Sequence, residues 1–134
     1  MLGEKIGEEQ GQITGVKVLS VDGDPKLEVS FQGTGKLLGV DTTDIGTYWS
    51  VMRPNGTIYG EGHGVIMTAD GEGVTWKGAG VGTPTGVGMA VSYRGAIYFS
   101  TASEKLAALN TYAAVYEFDV DENGATSATF EAWR

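Results

Sequence analysis

At 134 residues with no cysteine, the chain is long enough to bury one core without a covalent staple, and disulfides, thiol nucleophiles and thiolate metal sites are excluded. Seventeen acidic residues against nine basic ones give a formal charge of −8, a sign that repels phosphate backbones and anionic lipid and argues against nucleic-acid and membrane partners. Glycine occurs 22 times and proline only 3 times, with no triplet repeat, so neither collagen nor a disordered linker fits.

Residues 1–12 are polar, rich in Glu and Gln, and offer Ile6 as the large apolar side chain after residue 2, so they are expected to form a flexible or capping arm. The start has no apolar secretory core and no stretch approaches the ~20 apolar residues of a membrane span, which predicts a cytoplasmic protein. Apolar-polar alternation begins at Ile13. Val16 and Val18 share one parity, Ile13, Leu19 and Val21 sit on the other, and Asp22-Gly23-Asp24-Pro25 stops the run. In the second strand Leu27, Val29 and Phe31 alternate with Glu28, Ser30 and Gln32. A third element over 37–53 ends at Pro54-Asn55-Gly56, where Pro presets φ and Gly accepts a positive φ.

Residues 57–68 then fold back, and Asp70-Gly71-Glu72-Gly73 turns the chain into a strand over 74–81. The loop 82–86 leads to the longest β-like run, 87–101. Residues 103–110 break the pattern: Ser103 is an N-cap candidate, good helix formers follow and Asn110 stops them, which predicts about two turns of helix. A final hairpin, 111–120 and 125–133, turns at Asp121-Glu122-Asn123-Gly124. Seven or eight strands at this spacing predict one all-β domain over 1–134, a closed antiparallel up-and-down barrel of about eight strands with one short helix; a sandwich is the alternative.

Asp119-Val120-Asp121-Glu122-Asn123-Gly124 matches half of a calcium loop, but its twelfth position is Phe130 and its flanks are strands, so it is read as a hairpin turn and no metal is expected. Gly60-Glu61-Gly62-His63-Gly64 and Gly78-Ala79-Gly80-Val81-Gly82 are not phosphate loops, because no helix follows them. Alternate glycines instead mark a face approached by a backbone or a large ring. On the other parity Tyr59, Glu61, His63, Val65 and Met67 project together. If the glycine face cannot fill a core, this face must line the lumen and bring a carboxylate and the only histidine into it, a general acid/base pair.

Arg94 and Tyr98 share a face with Ala90, Ser92, Ala96 and Ser100, opposite Val91, Tyr93, Ile97 and Phe99; periodicity leaves open which face is inside. Trp49, Trp76 and Trp133 belong to core or subunit contacts more readily than to ligand stacking. The candidate ligand-binding residues are therefore Tyr59, Glu61, His63, Trp76, Arg94 and Tyr98. Catalytic residues are not identified, G-x-S-x-G is absent, Asn55-Gly56-Thr57 is a turn rather than a glycosylation site, and no cofactor is expected.

Several stretches, GVDTTDIGTYW (39–49), YGEGHGVIM (59–67), TWKGAGVG (75–82), VSYRGA (91–96), TASEKLAALN (101–110) and the ending 118–133, resemble a group of small uncharacterised prokaryotic proteins. The fold of that group is similar to the allene oxide cyclase barrel, an eight-stranded calycin-like barrel. The resemblance implies a homo-oligomer, dimer or trimer. The cyclases act on a fatty-acid epoxide inside the barrel, mostly by positioning it, and none of their catalytic residues maps onto this sequence by motif. Three functions follow: a binder of a small, partly apolar molecule in the lumen, an isomerase or cyclase using acid/base chemistry there, or a structural oligomer with a filled barrel.

Overall fold

The computed structural model describes residues 3–133, which form eight antiparallel strands: β1 (Glu4–Ser20), β2 (Lys26–Leu37), β3 (Val40–Met52), β4 (Ile58–Thr68), β5 (Gly73–Pro84), β6 (Val91–Thr101), β7 (Ala113–Val120) and β8 (Ala125–Trp133). Each pairs with its sequence neighbours, and β1 pairs with β8 to close the barrel. Closure removes the sheet edges an open meander would expose. The turns use the residues their geometry requires. Gly56 and Gly124 adopt positive φ, and the Asp121 carboxylate accepts the backbone N–H of Asn123 and Ala125, which assigns that segment to a hairpin turn. The tightest connection, Leu38-Gly39, has both residues at positive φ, a conformation that leucine disguises in the sequence.

Two expectations are corrected. The segment expected to be a polar arm is strand: Glu4–Gln12 pairs with β8, and Gly7 onward pairs with β2. Its inward positions are Ile6 or Gly7, Glu9, Gly11 and Ile13, so a buried acid and two glycines hide the alternation. Met1 and Leu2, the first residues of that expected arm, lie outside the described residues. The helix expected from Ser103 is only a 3-10 turn, Ala107–Thr111, with no side-chain cap. The reason is packing: Leu106 and Leu109 are both fully buried among Leu37, Ile66 and Val74, and three-residue spacing aims them at the same place. The Asn110 side chain does not stop a helix but clips the segment to β6, donating to the Thr101 carbonyl (2.9 Å) and accepting its N–H (2.8 Å).

Leu106 and Leu109 plug the end of the barrel that also carries the 38–39 and 69–72 turns. The opposite end carries the connections 21–25, 53–57, 85–90 and 121–124 and has no such plug among the described residues. There β1 runs past β8: after Gln12 it pairs with β2 alone, leaving Val16, Val18 and Leu19 exposed. No helix among the described residues is long and apolar enough to cross a membrane.

Candidate binding site in the barrel lumen

Between the leucine plug and the unplugged end, the lumen holds a cavity of about 60 Å³. Its walls are the rings of Phe31, Tyr48, Tyr93, Tyr116, Phe118 and Phe130 together with bare backbone at Gly60, Gly62 and Gly78. Its polar end is formed by Glu9, Asp44 and Trp76.

The lumen is built by a repeated device in which a large side chain crosses glycines on the intervening strands to meet a residue two or three strands away. Glu9 on β1 opposes Gly35 on β2, and Asp44 on β3 opposes Gly33 on β2. The two carboxyls hydrogen-bond across those glycines. Trp76 on β5 opposes Gly64 on β4, and a Cβ at Gly64 would lie only 2.3 Å from the indole nitrogen. The ring therefore reaches over β4 and donates its N–H to Asp44 Oδ1 at 2.9 Å. Tyr93 on β6 extends over Gly82 and Gly60 to hydrogen-bond Ser50 on β3.

Burial dominates the electrostatics. Glu9 is 7% exposed and Asp44 2%. Desolvation pushes the Glu9 carboxyl up from 4.5 to about 9, with the charge of Asp44 and the hydrogen bond to it adding in the same direction. Burial raises Asp44 as well, but the hydrogen bonds from Glu9 and Trp76 oppose the rise. Glu9, the more strongly raised by burial and by its neighbour, is thus the proton donor of the pair, and Asp44 accepts from Glu9 and from the Trp76 indole. Three phenols face the same space. Burial raises Tyr48 and Tyr93 and pushes Tyr116 up to about 12, so all three are neutral hydrogen-bonding groups at physiological pH.

Of the residues expected to bind a ligand, Trp76 alone has its side chain in the lumen. The glycine parity of β4 faces inward, so Tyr59, Glu61 and His63 stand on the outer wall, with Glu61 and His63 exposed. Physically, the glycines face the core because side chains from other strands fill the room above them: the Trp76 ring over Gly64, the Cβ of Tyr48 against Gly62 and the Tyr93 ring over Gly60. The Tyr59 hydroxyl donates to Glu61 (2.8 Å) and its ring stacks beside Trp49, 5.7 Å away between centroids. Arg94 is likewise an exterior charge, ion-paired with Glu117 (3.4 Å) and Asp119 (3.2 Å), and Tyr98 is 58% exposed. The inward set of β6 is the apolar one, Val91, Tyr93, Ile97 and Phe99.

Sequence reasoning missed Glu9 and Asp44. The available signal is an acid two residues from glycine, Gly7-x-Glu9-x-Gly11 and Asp44-x-Gly46, which puts a carboxyl on the same face as positions emptied for packing.

No family model matches the chain, and no curated protein matches it. Solved structures do. The chain is similar to a protein of unknown function from Clostridium acetobutylicum (14% identity, TM-score 0.82, covering 98% of this chain and 99% of that one). It is also similar to a conserved protein of unknown function from Rhodopseudomonas palustris (17% identity, TM-score 0.81, 96% and 95% covered). A third is a β-barrel-like protein from Acinetobacter baumannii (16% identity, TM-score 0.81, 97% and 94% covered). At these identities the likeness concerns the fold.

Proposed function

We propose that the protein binds a small, largely apolar molecule in its lumen, with the Glu9–Asp44–Trp76 cluster holding the ligand's polar end. The observation that carries this reading is the cavity itself: an apolar, ring-lined space with a few polar groups gathered at one end is the usual form of a small-molecule site. A structural barrel has no use for two carboxyls there, since burying them costs stability that an apolar pair would not. At about 60 Å³ the space suits a compact ligand or one end of a longer ligand.

The test uses the indole N–H of Trp76 as a reporter. Its NMR cross-peak should shift when small apolar alcohols and amines are titrated in, while those of Trp49 on the outer wall and Trp133, which is exposed, stay put. Movement of none of the three with any such probe would leave the barrel without a ligand.

A second reading, isomerase or cyclase chemistry, is supported by one feature: the pair presents an acid and a base side by side at neutral pH. It assigns Glu9 as proton donor and Asp44 as acceptor. Under either reading we place the chain among calycin-like barrels of the allene oxide cyclase type, as one domain, and as a homo-oligomer. Exposed Ile45, Val65 and Met67 on adjacent outer positions of β3 and β4 support the last point.

A further inference from the structure

The geometry points to a small aliphatic amine as the ligand class, its ammonium group seated between Glu9 and Asp44 and its alkyl part among the rings. This deepens the lumen-binding reading and rests on it. Three independent features agree. Among the described residues, none lining the cavity is basic, so the carboxylate of Asp44 has hydrogen-bond donors but no countercharge inside the barrel. The cavity around the acids is lined mainly by aromatic rings, and π faces attract cations. Finally, Gly33 and Gly35 leave the two carboxyls free of intervening side chains, so one ammonium can donate to both.

The charge balance also closes. Before binding, the pair holds one proton and carries one negative charge. An ammonium ion arriving from water keeps its three N–H bonds; the O–H bond of Glu9 breaks and its proton leaves to solvent. Two carboxylates and one cation again leave the lumen with a single negative charge, now in charge-assisted hydrogen bonds stronger than those an alcohol makes. A carboxylate ligand would instead bring a second negative charge into a low-dielectric space, which excludes anions.

The experiment compares three probes of one shape, isobutylamine, isobutanol and isobutyrate, by the Trp76 indole shift between pH 6 and 8. The inference expects the amine to bind at least tenfold more tightly than the alcohol at pH 7.5, with no shift from isobutyrate. Release of one proton makes the amine's affinity rise about tenfold per pH unit. In Glu9→Gln, which has no proton to release, that slope should vanish; should the variant not fold, the wild-type pH series decides alone. Equal binding of amine and alcohol at every pH overturns the amine assignment and leaves lumen binding standing. No Trp76 shift with any probe overturns both.

Discussion

Glu9 and Asp44 lie on strands that do not touch, β1 and β3, yet their side chains meet, because the strand between them presents Gly33 and Gly35 at the crossing. The contact decides how the protein responds to pH. The Glu9 carboxyl is raised by burial from 4.5 to about 9, so between these values the folded state holds a proton that the unfolded chain has lost. Stability is then greatest toward the acid side and falls as pH rises through the window, by up to about 1.4 kcal/mol per unit for one proton. Urea unfolding at pH 5.5, 7 and 8.5 should show this fall, and Glu9→Gln should flatten it. A wild-type stability that rises over the same range would contradict the assignment.

The glycines beneath the large side chains should be intolerant of even one methyl group. A Cβ at Gly64 would meet the Trp76 ring at 2.3 Å, whereas one at Gly15 meets nothing within 4 Å. Gly64→Ala is expected to cost about 1–3 kcal/mol through overpacking, and Gly15→Ala to be neutral within about 0.5 kcal/mol. Chemical denaturation of the two variants compares them directly; equal midpoints would mean that the ring does not lie across β4.

Trp76→Phe keeps most of the ring and removes the one N–H. Asp44 loses a 2.9 Å hydrogen bond while staying buried, so a loss of about 1–3 kcal/mol is expected. Losing a donor to the carboxylate also raises Asp44 further. Thermal melting checks this: the loss from Trp76→Phe should be smaller in an Asp44→Asn background, where no carboxylate is left short of a donor, and equal losses in both backgrounds would not fit.

His63→Ala and Glu61→Gln should leave lumen binding unchanged, because both side chains are exposed on the outer wall. Titration of isobutylamine into each variant, followed by the Trp76 resonance, is the check. A tenfold loss of affinity in either would return the site to β4's outer face.

On the outer wall, Ile45 and Val65 are direct cross-strand partners and are 54% and 49% exposed. Light scattering at micromolar concentration should report a dimer or trimer, and Ile45→Lys/Val65→Lys should reduce it to single chains. A wild-type mass of one 14.1 kDa chain would refute the oligomer.

The architecture was legible because turn chemistry and alternation agreed over most of the chain: Pro54-Asn55-Gly56 and Asp121–Gly124 turn where their residues predict, and the strands between them carry clear apolar parity. Legibility failed where an inward position was not apolar. Glu9 made the start of β1 look like a solvated arm, and Leu38 concealed a turn. On β4 the inward residues are glycines, so the sequence alone favoured the face bearing Glu61 and His63; only the rings arriving from β3, β5 and β6 reveal that the empty face is the core. The polar end of the site was hidden by the same rule, since a carboxyl on an inward face reads as surface until its partner two strands away is known.

The proton shared between Glu9 and Asp44 at the polar end of the lumen is read without intermediary by the carboxyl ¹³C shift of Glu9, followed by NMR from pH 4 to 10. The carboxyl should be protonated at pH 7 with its midpoint near 9, moving lower in Asp44→Asn as the neighbouring negative charge is removed. A midpoint near 4.5, unchanged by Asp44→Asn, would contradict it.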